Sequence, residues 1–287
     1  MDKSESTGRG NAPGHFNSVN PIMVIDIFIL VLGLAVGSFL NVAIHRLPHD
    51  QSVITPSSRC PKCEGPIAWY DNIPVLSFLI LARRCRHCRE KISIRYPAVE
   101  LVSALIWYES WRTSGGSVAF LIPVLFISLL LVATVTDLET GLIPDEVTLG
   151  GIIAGLLASY FWPALHETTL GYVAIGRSAL GFFTGGALIY VTGLAGNWIF
   201  QRELAKLGMN QSMGGGDVKL LAMAGSFLGW EKVLLGFFTA PLLGLPFALY
   251  TRLAKNNRII PYGPFLSIAC LIQFLFGNVL WQWFMRI

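Results

Sequence analysis

Long apolar stretches separated by short polar ones dominate this chain. Runs near the roughly 20 residues that a helix needs to cross a bilayer cover 22–44, 98–111, 118–136, 147–165, 179–200, 218–230, 233–253 and 265–284. The pattern predicts an all-α polytopic membrane protein with about eight transmembrane helices. The runs 98–111 and 218–230 are short, and either extend into their polar flanks or lie partly in the interface. Residues 1–21 are polar and turn-rich and read as a disordered tail. The first transmembrane helix is expected over 22–44, a basic loop domain over 45–97, and the main membrane domain over 98–287. Lys3 and Arg9 precede the first run as they would in a signal peptide. That run is longer than a signal h-region and continues into GSFLNVAI, which reads as a retained anchor.

Composition supports the same solvent. Of 287 residues, 53% are hydrophobic and 13% charged, about half the charged share of a soluble domain. The net charge of +4 is small, and no nucleic-acid partner is expected. The distribution of charge matters more than its sum. Arg46, Arg59, Lys62, Arg83, Arg84, Arg86, Arg89, Lys91 and Arg95 all fall within 45–97, which the positive-inside bias assigns to the cytoplasm. With eight spans, 137–146, 201–217 and 254–262 face the same way. Arg202, Lys206, Lys255 and Arg258 in the last two segments agree independently. Asp137 and Asp217 are then both expected at the cytoplasmic face.

Four of the five cysteines form two pairs, Cys60-Pro-Lys-Cys63 and Cys85-Arg-His-Cys88. Two C-x2-C knuckles at this separation suit a tetrahedral zinc site. A loop in a reducing compartment argues against disulfides. Four protein ligands leave no open position, so the expected zinc is structural. Cys270 stands alone in the last run and reads as a small core residue.

The candidate chemistry rests on two carboxylates at the ends of apolar runs. Asp137 lies in TDLETGLIPDEVTL (136–149), and Asp217 closes a glycine cluster in SMGGGDVKLLAMAGSFLGW (212–230). A carboxylate at the edge of the hydrocarbon layer is costly unless solvated, paired or used. Two facing carboxyls share a proton, so one activates water while the other polarises a carbonyl. This is the chemistry of aspartic peptide hydrolysis. Gly214, Gly215 and Gly216 would let the chain approach a substrate backbone closely. Asp145 reads as a helix cap, Lys219 as an interfacial anchor or phosphate contact, and Glu100 as a structural group near the cysteine module. His166-Glu167 begins an HExxH-like string that fails, because position 170 is Leu. A transporter is the rival class, since intramembrane aspartates also relay protons. No repeat of TDLETGLIPD in the other half supports it.

These residues carry a resemblance. GSFLNVAIHRLP (37–48), CPKC and CRHC with WYDNIPVLSFL (69–79) between them, ISIRYPAVEL (92–101), the two aspartate motifs and IPYGPFLSI (260–268) follow one another in order. The chain is similar to the type IV prepilin leader peptidase/N-methyltransferase family of GxGD-type intramembrane aspartic proteases. The resemblance implies a multi-pass protein of the bacterial inner membrane. Such an enzyme would remove the basic leader from type IV prepilins and type II secretion pseudopilins at the cytoplasmic face. It would then N-methylate the new N-terminal residue with S-adenosylmethionine. It implies that the catalytic pair falls on Asp137 and Asp217, and the zinc ligands on Cys60, Cys63, Cys85 and Cys88. No residues are assigned to S-adenosylmethionine.

Overall fold

The computed structural model describes residues 21–206, 211–255 and 261–286. The expected tail, apart from Pro21, lies outside the described residues, and so does Arg258. Among the described residues, ten α-helices follow one another: α1 (Pro21–Arg46), α2 (Leu76–Ile80), α3 (Arg95–Thr113), α4 (Leu121–Thr140), α5 (Asp145–Phe161), α6 (Gly171–Ile199), α7 (Gln201–Lys206), α8 (Gly215–Leu228), α9 (Trp230–Lys255) and α10 (Gly263–Phe284). No β-strand occurs among the described residues, only two isolated bridges in the cysteine module.

Each of the eight expected runs contains a helix. Among the described residues, five segments are long and apolar enough to cross a membrane by length and composition: Ile22–His49, Val118–Thr140, Gly171–Ile199, Trp230–Thr251 and Gly263–Phe284. The other three runs form α3, α5 and α8. At 1.5 Å per residue, the 14 residues of α8 reach only about 21 Å. Its surroundings explain why so short a helix suffices. Every residue from Leu220 to Leu228 is buried, so α8 is enclosed by protein rather than lipid. Irregular backbone at membrane depth is tolerated in such an enclosure.

Small residues set the helix crossings. Without a hydrophobic drive inside lipid, helices associate where glycine lets backbones approach. Gly33 and Gly37 of α1 face α3; a Cβ at these positions would lie 2.7 Å from Ala104 Cα and 2.6 Å from Glu100 Cα. Ser103 Oγ donates to Gly33 O at 2.8 Å in the same seam. Gly151 and Gly155 of α5 seat Met223 and Ser226 of α8, and Gly181 and Gly185 of α6 meet the α8 backbone at Gly225 and Leu221. Three glycine pairs of the form G-x3-G therefore tie α1 to α3, and both α5 and α6 to α8. Phe126 of α4 completes the core, with ring centroids 4.8 Å from Phe227 and 5.0 Å from Phe274.

Candidate functional site

The C-terminal end of α4 and the N-terminal ends of α8 and α10 converge at one end of the bundle. Asp137, in the last turn of α4, is 7% exposed. Its Oδ2 accepts a hydrogen bond from Gly263 N at 2.9 Å. The N-terminus of α10 thus offers a partial positive charge to a carboxylate that its own helix end disfavours. A Cβ on Gly263 would sit 2.7 Å from the same oxygen, so only glycine allows this approach. Asp217, in the first turn of α8, is half-buried, and Asp217 N donates to Gly214 O at 3.2 Å. The Asp137 and Asp217 carboxyls lie within electrostatic range of each other.

The loop after Asp137 and the glycine cluster are joined directly. Gly141 adopts φ +69° and ends α4, with Gly141 N donating to Asp137 O at 2.9 Å. This left-handed turn sends the chain into Ile143, whose side chain packs on Gly216. Gly214 and Gly215 are exposed and Gly216 is half-buried, so the cluster leaves backbone open beside the carboxyls. Lys219 Nζ reaches both carboxylate oxygens of Asp145, at 2.6 and 2.7 Å. Two sequence expectations change here. Asp145 is the first residue of α5 and not its cap; Pro144 holds the cap position, without a side-chain hydrogen bond. Lys219 is an ion-pair partner holding the two aspartate motifs together.

Sequence reasoning singled out neither Gly263 nor Tyr262, although both stand in the motif IPYGPFLSI. The Tyr262 hydroxyl is buried without a hydrogen-bond partner and lies within electrostatic range of Asp217. A glycine followed by proline at a helix start was the available signal. It did not reveal which side chain the helix N-terminus would face.

The cysteine module is two copies of one knuckle, offset by 25 positions. Cys60 N donates to Gly65 O at 3.0 Å, and Glu64 N to Cys60 O at 2.9 Å. In the second copy, Cys85 N donates to Glu90 O at 2.9 Å, and Arg89 N to Cys85 O at 3.0 Å. Bridges Arg59–Pro66 and Arg84–Lys91 flank them. The Sγ atoms of Cys60, Cys63, Cys85 and Cys88 all lie within 4.8 Å of one another and can hold a metal ion. All four cysteines are free thiols, and Cys60 Sγ and Cys88 Sγ are 3.8 Å apart, far beyond a disulfide bond. The Cys88 and His87 amides hold the Cys85 thiol down to about 6. Against the Glu90 amide, the neighbouring sulfurs of Cys63, Cys85 and Cys60 push Cys88 up to about 12. Four sulfurs this close ionise together only around a cation, so the donor set fits a metal.

Comparison with known proteins places this architecture. Residues 31–113 match the model of the bacterial peptidase A24 N-terminal domain, and residues 124–249 that of the type IV leader peptidase family. A Myxococcus xanthus (strain DK1622) protein is 37% identical over 248 residues, covering 85% of this chain and 67% of its own length. An Aeromonas salmonicida (strain A449) protein is 33% identical over 285 residues, covering 90% and 92%. One from Pseudomonas putida is 34% identical over 276 residues, covering 86% and 89%. Each is named a prepilin leader peptidase/N-methyltransferase. No solved structure matches the chain. The transporter reading finds no support among these relatives. With similarity running through both the cysteine-bearing half and the aspartate-bearing half, the chain belongs to the prepilin leader peptidase/N-methyltransferase family.

Proposed function

We propose that the protein cleaves the basic leader from type IV prepilins and type II secretion pseudopilins, with Asp137 and Asp217 as the catalytic pair. The observation that carries this reading is the convergence of three helix ends on the two carboxyls, with Gly263 N fixing Asp137. In the hydrolytic step one carboxylate takes a proton from water while the other, protonated, donates to the scissile carbonyl. The Gly263 amide and the packed end of α4 orient Asp137. Gly214, Gly215 and Gly216 offer bare backbone on which an extended substrate segment pairs. Tyr262 supplies a further donor facing the same space. A second role follows from the family, N-methylation of the newly exposed terminus, with S-adenosylmethionine supplying the methyl group.

The protein is then a multi-pass inner-membrane enzyme. The basic segment 45–97 and the aspartate end lie in the cytoplasm, with 22–44 as the first membrane helix and 98–287 as the peptidase domain. Asp137 and Arg95 support a common side: Glu139, two residues past Asp137, pairs with Arg95 at the foot of the basic segment. A prepilin carries an apolar helix behind a positive leader, so its cleavage point falls at this face. Zinc is the metal we assign to Cys60, Cys63, Cys85 and Cys88. Tetrahedral zinc thiolates at about 2.3 Å put their sulfurs about 3.8 Å apart, the spacing of Cys60 and Cys88. The ion would be structural, holding the two knuckles together.

Co-expression with a type IV prepilin tests this, read by the mass of the product's N-terminus. The expected product lacks the leader and carries one added methyl. An uncut prepilin would overturn the peptidase reading, and a cut, unmethylated product would remove the second activity.

A further inference from the structure

A cavity of about 410 Å3 opens between the C-terminal part of α1, the start of α3 and the cysteine module. Much of its wall is apolar, including Val42, Ile73, Phe78 and Ile92. Two buried polar groups in that wall lack a partner of one kind: Glu100 a counter-charge, Asn41 a donor. Glu100 is 8% exposed; its Oε2 accepts from Val75 N at 2.7 Å, and its carboxylate also accepts from the Ser38 hydroxyl. Among the described residues no lysine, arginine or histidine forms an ion pair with it. Asn41 is 3% exposed; its Nδ2 donates to Tyr96 O at 2.9 Å, while its Oδ1 is buried without a partner. A buried carboxylate without a cation is costly, and an unmatched acceptor adds to the cost. Both are relieved by a ligand that is cationic and carries N–H donors.

The cavity has the size of a small-molecule site, and its position is informative. Glu139 lies on its rim and pairs with Arg95, another rim residue. Glu139 is two residues beyond Asp137 on α4. The cavity therefore borders the place where hydrolysis would release a new amino terminus. We propose that this cavity seats the sulfonium methyl donor, with Glu100 facing its positive charge and Asn41 Oδ1 accepting from one of its amino groups. This rests on the bifunctional reading above. In the transfer, the neutral terminal amine attacks the methyl carbon. A C–N bond forms, and the methyl–sulfur bond breaks with its electron pair passing to sulfur. The positive charge moves from sulfur to nitrogen, which afterwards releases a proton to water.

The test is direct binding, on the full chain in nanodiscs without prepilin. Labelled S-adenosylmethionine is measured by equilibrium dialysis and then by ultraviolet cross-linking with peptide mapping. Glu100→Gln keeps a carbonyl oxygen for Val75 N and removes only the charge; it should weaken binding at least ten-fold at an unchanged melting temperature. Val42→Trp, which fills the cavity, should abolish binding. The cross-link should map to peptides within 38–46 or 92–101. Glu203→Gln, on the surface of α7, should bind as wild type does. Wild-type affinity in both Glu100→Gln and Val42→Trp, or a cross-link mapped to 201–217, overturns the placement. Unchanged donor binding in Glu100→Gln with a raised KM for a basic leader overturns it in favour of a leader pocket. If Glu100→Gln does not fold, Val42→Trp and the cross-link map decide alone. Absence of binding by the wild type overturns the methyltransferase reading together with this one.

Discussion

Asp137 continues a buried face of α4 formed by Phe126, Leu130 and Ala133, and Asp217 stands just before the continuous buried run from Leu220 to Leu228. Cys63 and Cys88 are exposed, and around them only Cys60 is a buried hydrophobic residue of the module. The first site is positioned by packing, glycine-mediated helix contacts and one amide. The second has almost no core and is positioned by two backbone knuckles whose four sulfurs fit a common cation. The contrast shows two ways of fixing polar groups to a fraction of an ångström. A dense core does it without ligands; a small exposed segment needs a staple.

The largest expected effect comes from removing the staple. Structural zinc sites contribute about 10–16 kcal/mol of folding free energy to small modules. Cys60→Ser with Cys88→Ser, or a strong chelator, should melt 58–92 while leaving the bundle helical. Hydrogen exchange resolved by peptide would read this, and equal protection in both regions would erase the contrast.

Next is the fixing amide. Gly263→Ala puts a Cβ against Asp137 Oδ2, and misplacing a reacting group by about 1 Å costs on the order of 100-fold in rate. Leader cleavage should fall that far with metal content unchanged. Near-normal cleavage would show that the amide contact does not orient the carboxyl. Gly181→Leu attacks the packing itself, where α6 and α8 touch backbone to backbone. Overpacking costs about 1–3 kcal/mol, so a lowered melting temperature of the bundle is expected, with the knuckles unaffected.

Smaller effects lie at the edges. Lys219→Met breaks a largely exposed pair with Asp145, worth about 0.2–1 kcal/mol, and should loosen the two aspartate motifs only slightly. In the cysteine module, the Arg86 guanidinium beside Asp71 holds that carboxyl below its usual range. The pair's contribution is complete above the unfolded aspartate pKa of about 4 and is lost as pH falls through the depressed folded value. Arg86→Gln should remove that acid sensitivity from the module's unfolding and leave the bundle's unchanged.

Much of this was legible in the chain. Apolar runs gave the helices, and the cysteine spacing gave the knuckles, because both depend on local pattern. The convergence of Asp137 with Gly263 was not legible, since it joins residues 126 positions apart through α10. Asp145 was misread by one position, since Pro144 takes the cap place and Asp145 opens α5; its pairing with Lys219, 74 positions on, had no local signal. The G-x3-G pairs at 33/37, 151/155 and 181/185 were visible as spacing, but which helix each would meet depended on the assembled bundle. Span number is less legible than helix number, because α8 has the composition of a membrane helix while being short and enclosed by protein.

The most direct test of the central claim is leader cleavage by purified Asp137→Asn and Asp217→Asn in nanodiscs, each with its melting curve. Each should lose activity by at least about 10³-fold, within the range of acid–base catalysis, while folding like the wild type. If either folded variant kept a tenth or more of the wild-type rate, the paired-carboxyl account would be contradicted.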